Sequence, residues 1–144
     1  DKAILKSFYT WLSTEYVGDK DWSNPNEFDP EADDLTEWIS AKITTTELQP
    51  FRNNDQRLYR LSIRIGCWYA GTADPMGHME LASDIKELLL HKTIPVYDYD
   101  AVGDPQIGII RLREPLIRDH GEDQKHQDWA YASVSVSGTS EEGC

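Results

Sequence analysis

Two stretches of the chain carry residue types that could do chemistry. The first is "DYDAVGD", Asp98 to Asp104, which has the acidic spacing of a calcium loop at its start. A calcium loop needs oxygen ligands at positions 1, 3 and 5, glycine at 6 and glutamate at 12. Gly103 falls at position 6, but position 5 is Val102 and position 12 is Ile109, so the pattern fails and the stretch reads as a solvated acidic turn. The second is "LIRDHGEDQKHQD", where His120 and His126 sit beside Asp119, Glu122, Asp123 and Asp128. Histidines among carboxylates can hold a metal, yet the spacing fits neither C-x-x-C nor H-E-x-x-H. The stretch reads as a hydrophilic loop, with no metal and no cofactor.

The rest of the chemical inventory is thin. The chain has no glycine-rich phosphate loop, no nucleophile elbow and no cysteine–histidine pair at a useful spacing. Carboxylates abound, but none lies in an apolar setting that would raise its pKa toward acid–base work. His91 falls near the end of an apolar helical pattern, where a cation suits the helix dipole. The residues point away from an enzyme.

The elements that would position these groups follow from periodicity. Ile4, Phe8, Trp11 and Leu12 recur at helical spacing and predict a helix over 2–15, with Asp1 as its cap. A polar stretch follows, rich in Asp, Asn, Pro and Glu, with Trp22 and Phe28 as its large apolar groups. Loops of that length are commonly functional. From Thr36 the pattern alternates, with Ile39, Ala41 and Ile43 facing one way and Trp38, Ser40, Lys42 and Thr44 the other.

A longer alternation spans 59–67. Tyr59, Leu61, Ile63, Ile65 and Cys67 form one face; Arg60, Ser62, Arg64 and Gly66 form the other. The two strands make a long hairpin through "QPFRNNDQR", whose tip presents Gln49, Pro50, Phe51, Arg52, Asn53 and Asn54. Leu81, Ile85, Leu88 and Leu89 then predict a second helix. A short extended piece near 93–97, a strand over 107–113 and an alternating strand from Trp129 complete the order, and 139–144 has the composition of a flexible polar tail.

Helix, hairpin, helix and further strands predict an α+β domain over 1–138, a mainly antiparallel sheet with two helices packed on one face. The 144 residues suit one core, and there is no apolar run of about 18 residues that would span a membrane. The chain reads as a soluble intracellular protein. Its two cysteines do not make a disulfide framework; Cys67 fits a buried hydrophobe and Cys144 a free terminal thiol.

Charge narrows the partners. Fourteen Lys and Arg against 26 Asp and Glu give −12, which disfavours nucleic-acid phosphate as the main partner. It allows a basic protein partner, an acidic pore lining, or a decoy that imitates DNA. Arg60 and Arg64 on one strand, and Arg111 and Arg113 on another, could meet carboxylates of a neighbouring copy. They could equally belong to a solvated face with intramolecular salt bridges.

The order of elements resembles the tail terminator proteins of long-tailed bacteriophages. The residues that carry the likeness are "AILKSFYTWL", the acidic loop with its aromatics, "EWISAKI" leading into "YRLSIRIGCWYAG", "MELASDIKELL" and "DWAYASVSVSG", which together span nearly the whole chain. The resemblance implies an α+β fold and a hexameric ring on the head-proximal end of the tail tube. Such a ring stops tube polymerisation and offers the surface that docks to the head. It implies a homo-oligomer whose partners are the tube protein and a head-completion or connector protein, with no membrane and with DNA passing through the pore unbound. Its place is the neck of the virion, after assembly in the host cytoplasm. Trp22, Phe28 and the hairpin tip from Gln49 to Asn54 become the tube or head contacts, and Arg60, Arg64, Arg111 and Arg113 the intersubunit groups. Another neck protein, or an acidic DNA mimic that inhibits a nucleic-acid enzyme, is the competing expectation.

Overall fold

The computed structural model describes residues 2–16, 20–21, 36–48, 57–70, 74–122 and 129–142. Helix α1 runs from Lys2 to Glu15 and buries Ile4, Phe8 and Leu12, one residue per turn along a single face. Ser7 lies on the same face, and its hydroxyl accepts a hydrogen bond from the Tyr97 N–H at 2.9 Å. Helix α2, Gly77–Leu89, buries Leu81, Ala82, Ile85 and Leu89. Asp74 leads into it by accepting from the Met76 N–H at 2.9 Å. Gly77 is required by close approach, since a Cβ there would fall 2.2 Å from the ring of Tyr69.

Seven strands form one sheet: β1 (Lys20–Asp21), β2 (Glu37–Leu48), β3 (Arg57–Ala70), β4 (Thr93–Tyr97), β5 (Gln106–Leu112), β6 (Leu116–Glu122) and β7 (Trp129–Glu142). Their order is β1-β2-β3-β7-β5-β4, with β6 also on β7. Only β1 pairs in parallel, with β2; the other pairings are antiparallel. The expected α+β architecture, an antiparallel sheet with two helices on one face, is the fold of this chain. The helices cover the side formed by Ile39, Ala41 and Ile43 of β2, Leu61, Ile63, Ile65 and Cys67 of β3, and Ala132, Val134 and Val136 of β7. Each fully buried aliphatic side chain contributes about 1.5–3 kcal/mol, so this one-sided layer dominates stability.

Strand β7 is the spine. One of its edges pairs with β3 along its whole length. The other is shared, with β6 opposite Ala130–Ser135 and β5 opposite Gly138–Glu142. Strands β5 and β6 are in effect one strand broken at Arg113–Pro115, where Arg113 still donates its N–H to the Ser137 carbonyl at 2.9 Å. Leu112 pairs with Gly138 and Leu116 with Ser135, so the break holds one extra residue.

Two expectations change here. Residues 116–122 are a strand rather than a polar loop. The alternation is hidden because a second irregularity lies between Asp119 and Gly121, and the two apolar residues, Leu116 and Ile117, fall on opposite faces, with Ile117 toward the core. Strand β7 also continues through Thr139–Glu142, where composition suggested a tail. The inward positions there are Gly138 and Ser140, small residues that leave no hydrophobic signal. Ser140 is 1% exposed and donates its hydroxyl to the Ile109 carbonyl at 2.9 Å.

Candidate interaction face

Register places residues from four strands in rows on the sheet face that the helices leave uncovered. Reading across β2, β3, β7 and β5, the first row is Thr46, Arg60, Thr139 and Arg111. The second is Thr44, Ser62 and Ser137, with Arg113 in the break beside it. With β6 as the fourth strand, the third is Lys42, Arg64, Ser135 and Leu116, and the fourth Ser40, Gly66, Ser133 and Arg118. The fifth is Trp38, Trp68 and Tyr131, ending on the His120 ring.

No carboxylate occupies any of these rows; the nearest on the same face is the exposed Glu141, in the flanking row of Leu48, Leu58 and Ile109. Lys42, Arg60, Arg64, Arg111, Arg113 and Arg118 are all exposed, and none is ion-paired with another described residue. Six of the chain's 14 cationic side chains therefore gather around one face of a protein whose net charge is −12. The rest of the molecule is correspondingly more negative than its average. On the opposite side of the sheet, α2 turns Glu80, Asp84 and Glu87 outward as an exposed acidic stripe.

The fifth row is a continuous stack of rings. Trp38 and Trp68 lie 4.0 Å apart with planes 2° from parallel; Trp68 and Tyr131 are 4.6 Å apart, and Tyr131 and His120 4.5 Å. Gly66 makes room for it, because a Cβ there would sit 2.4 Å from the Trp68 ring. Trp38 is only 1% exposed and Trp129 4%, so this end of the face is closed over, while rows one to three are open. Arg64 links the two regions by donating from Nη2 to the Tyr131 hydroxyl at 3.1 Å.

His120 Nε2 and the Ser133 hydroxyl share a hydrogen bond of 2.8 Å. Ser133 is 3% exposed, so the pair fixes the imidazole rather than presenting a nucleophile. Burial, and then the positive charges of Arg64 and Arg118, hold the His120 pKa below its ordinary value. On the helix side, His78 Nε2 meets Asp119 Oδ1 at 3.0 Å and ties α2 to β6. The Gly121 N–H donates to the same carboxylate at 2.8 Å, and this bond, followed by that of His78, holds the Asp119 pKa below the usual carboxylate range.

A cleft of about 210 Å³ lies between α1 and the β4–β5 turn, lined by Lys2, Lys6, Asp98, Tyr99 and Asp100. Its charges are engaged: Lys2 pairs with Asp100 at 3.1 Å, and Lys6 lies over the Tyr99 ring. Among the described residues, no group of three His, Cys, Asp or Glu is placed to hold a metal ion. No helix of the described residues is long and apolar enough to cross a membrane.

Of the residues singled out in the sequence, Arg60, Arg64 and Arg111 share the open face and Arg113 sits in the β5–β6 break at its margin. Trp22, Phe28, Gln49, Pro50, Phe51, Arg52, Asn53 and Asn54 lie outside the described residues, as do His126 and Cys144. The periodic pattern missed Arg118 and the place of His120 in a strand, since it assigned both to a loop, and it placed Lys42 without linking it to Arg64. Pairing Trp38 with Trp68 across the hairpin is the signal that could have aligned the rows.

The fold and this face define a class: an α+β protein with a one-sided antiparallel sheet whose uncovered side is a basic, hydroxyl-rich surface. Neither the known protein families nor the curated proteins contain a match to the chain.

Proposed function

We propose that this chain is a structural protein of a long-tailed bacteriophage that caps the head-proximal end of the tail tube as a ring. In that role it stops tube polymerisation and forms the surface to which the head docks. The observation that carries the reading is the one-sided sheet. A face of Arg60, Arg64, Arg111 and their neighbours, unpaired within the described chain and flanked by hydroxyls, is suited to a partner surface rather than to a small substrate. The order of helix, long hairpin, helix and closing strands supports it, being the order on which the likeness to tail terminators rests.

In the ring, the charged surfaces divide the work by sign. The basic sheet faces are used between protein surfaces, and the acidic remainder meets DNA, which slides through the pore because like charge repels its phosphates. The tube protein and a head-completion protein are the two axial partners, and Phe51 and Arg52, in the segment of sequence between β2 and β3, supply contacts to one of them.

The test is electron microscopy of tails assembled with and without this protein. Tubes of uncontrolled length in its absence, restored to one length by adding it back, are the expected result. Tails of normal length without it would rule the role out.

A further inference from the structure

We infer that the basic sheet face of one copy docks on the acidic α2 stripe of the next copy, Glu80, Asp84 and Glu87. The inference rests on the ring reading above and names the two surfaces that would build the ring. The two lie on opposite sides of the same sheet, since α2 packs its Leu81, Ile85 and Leu89 face on the core. A contact between different surfaces of identical chains is head-to-tail, and such contacts close into rings when the rotation allows.

Charge and spacing both favour this occupant. Arg60 and Arg64 are four residues apart on one strand, about 13 Å at ~3.3 Å per residue. Glu80 and Glu87 are seven residues apart on a helix, about 10.5 Å at 1.5 Å per residue, with Asp84 between them. Flexible arginine side chains span the difference. Within the five rows the open face carries no carboxylate, Glu141 lying just beyond the first, and none of its guanidinium groups is ion-paired with another described residue, so a partner's carboxylates would cost no internal ion pair. A nucleic-acid strand would offer the same anionic groups and would meet the same long-range repulsion from a chain of net charge −12 as a second copy does, so a DNA duplex is one arm of the test below.

The experiment uses two charge-reversed variants of the full chain. One carries Arg60→Glu and Arg64→Glu, the other Glu80→Lys and Glu87→Lys. All four positions are exposed, and circular dichroism with thermal melts checks that each variant folds. Oligomers are followed by sedimentation over a concentration series at low and high salt. Wild type should assemble, less so at high salt, and each variant alone should associate at least roughly 100-fold more weakly, because like charges then face each other. An equimolar mixture of the two variants should recover assembly, since every contact in an alternating ring again pairs opposite charges. If either variant does not fold, Arg60→Gln with Arg64→Gln and Glu80→Gln with Glu87→Gln replace them, and each should weaken assembly alone.

Wild type that stays monomeric at all concentrations would overturn the inference, as would a mixture that fails to recover. So would tight binding of a short DNA duplex to wild type that Arg60→Glu and Arg64→Glu abolish, which would make the face a polyanion site. Rings that form by this contact yet never cap tubes would leave the interface standing and remove the tail role instead.

Discussion

Trp38 of β2 and Trp68 of β3 sit directly opposite each other and stack at 4.0 Å with planes 2° apart. Cross-strand ring pairs stabilise a sheet by about 0.5–1.5 kcal/mol beyond the area they bury. Trp68 makes such contacts with both Trp38 and Tyr131. Trp68→Ala should therefore cost about 3 kcal/mol, within the range for removing a large aromatic from a packed site. Urea unfolding measures it, and a loss below about 1 kcal/mol would mean that the stack adds nothing to the hairpin.

Gly66 gives an independent check on the same row. An added Cβ would meet the Trp68 ring at 2.4 Å and Tyr131 at 3.1 Å, so Gly66→Ala must displace the stack. The expected loss is about 1–3 kcal/mol, the usual range for overpacking. In a Trp68→Ala background the same substitution should cost much less, and a double-mutant cycle reads the difference. Equal costs in both backgrounds would place the strain elsewhere.

The hairpin and both helices were legible in the sequence because each pairs an apolar face with a polar one. Ile4, Phe8 and Leu12 fix the first helix, and Leu61, Ile63 and Ile65 the longest strand. Strand β6 was not legible, because His120 is an extra residue opposite the continuous β7 and breaks the period of two. The last turn of pairing in β7 was hidden by small inward residues, Gly138 and Ser140. The basic face could be read only in part. Arg60 and Arg64 share a strand and are visible together, but Lys42, Arg111 and Arg118 join them only through pairing register, which one strand's sequence does not contain.

Cys67 faces the helices and is fully buried. Burial, and then the negative charge of Glu37, pushes its thiol pKa up to about 12, so the reactive thiolate is scarce at neutral pH. In a Cys144→Ser variant, a thiol reagent near neutral pH should label the native protein only as fast as the protein unfolds, and the denatured chain at once. Rapid labelling of the native variant would show that the core opens around β3 without global unfolding.

Acid should weaken the fold in two stages. The His120 pKa is depressed in the folded state by burial and by Arg64 and Arg118, against about 6.5 when unfolded. Its contribution is complete above that unfolded value and is lost as pH falls through the folded one, because the unfolded chain takes up the proton first. Asp119 behaves alike at lower pH: its contribution is complete above about 3.9 and is lost as pH falls through its depressed folded value. His120→Gln removes the first stage from this site while keeping an amide that can bond to Ser133. The stability gap between wild type and His120→Gln should therefore narrow between about pH 7.5 and pH 5. A gap that stays constant over that interval would show that the imidazole stacked on Tyr131 titrates no differently in the folded and unfolded chain.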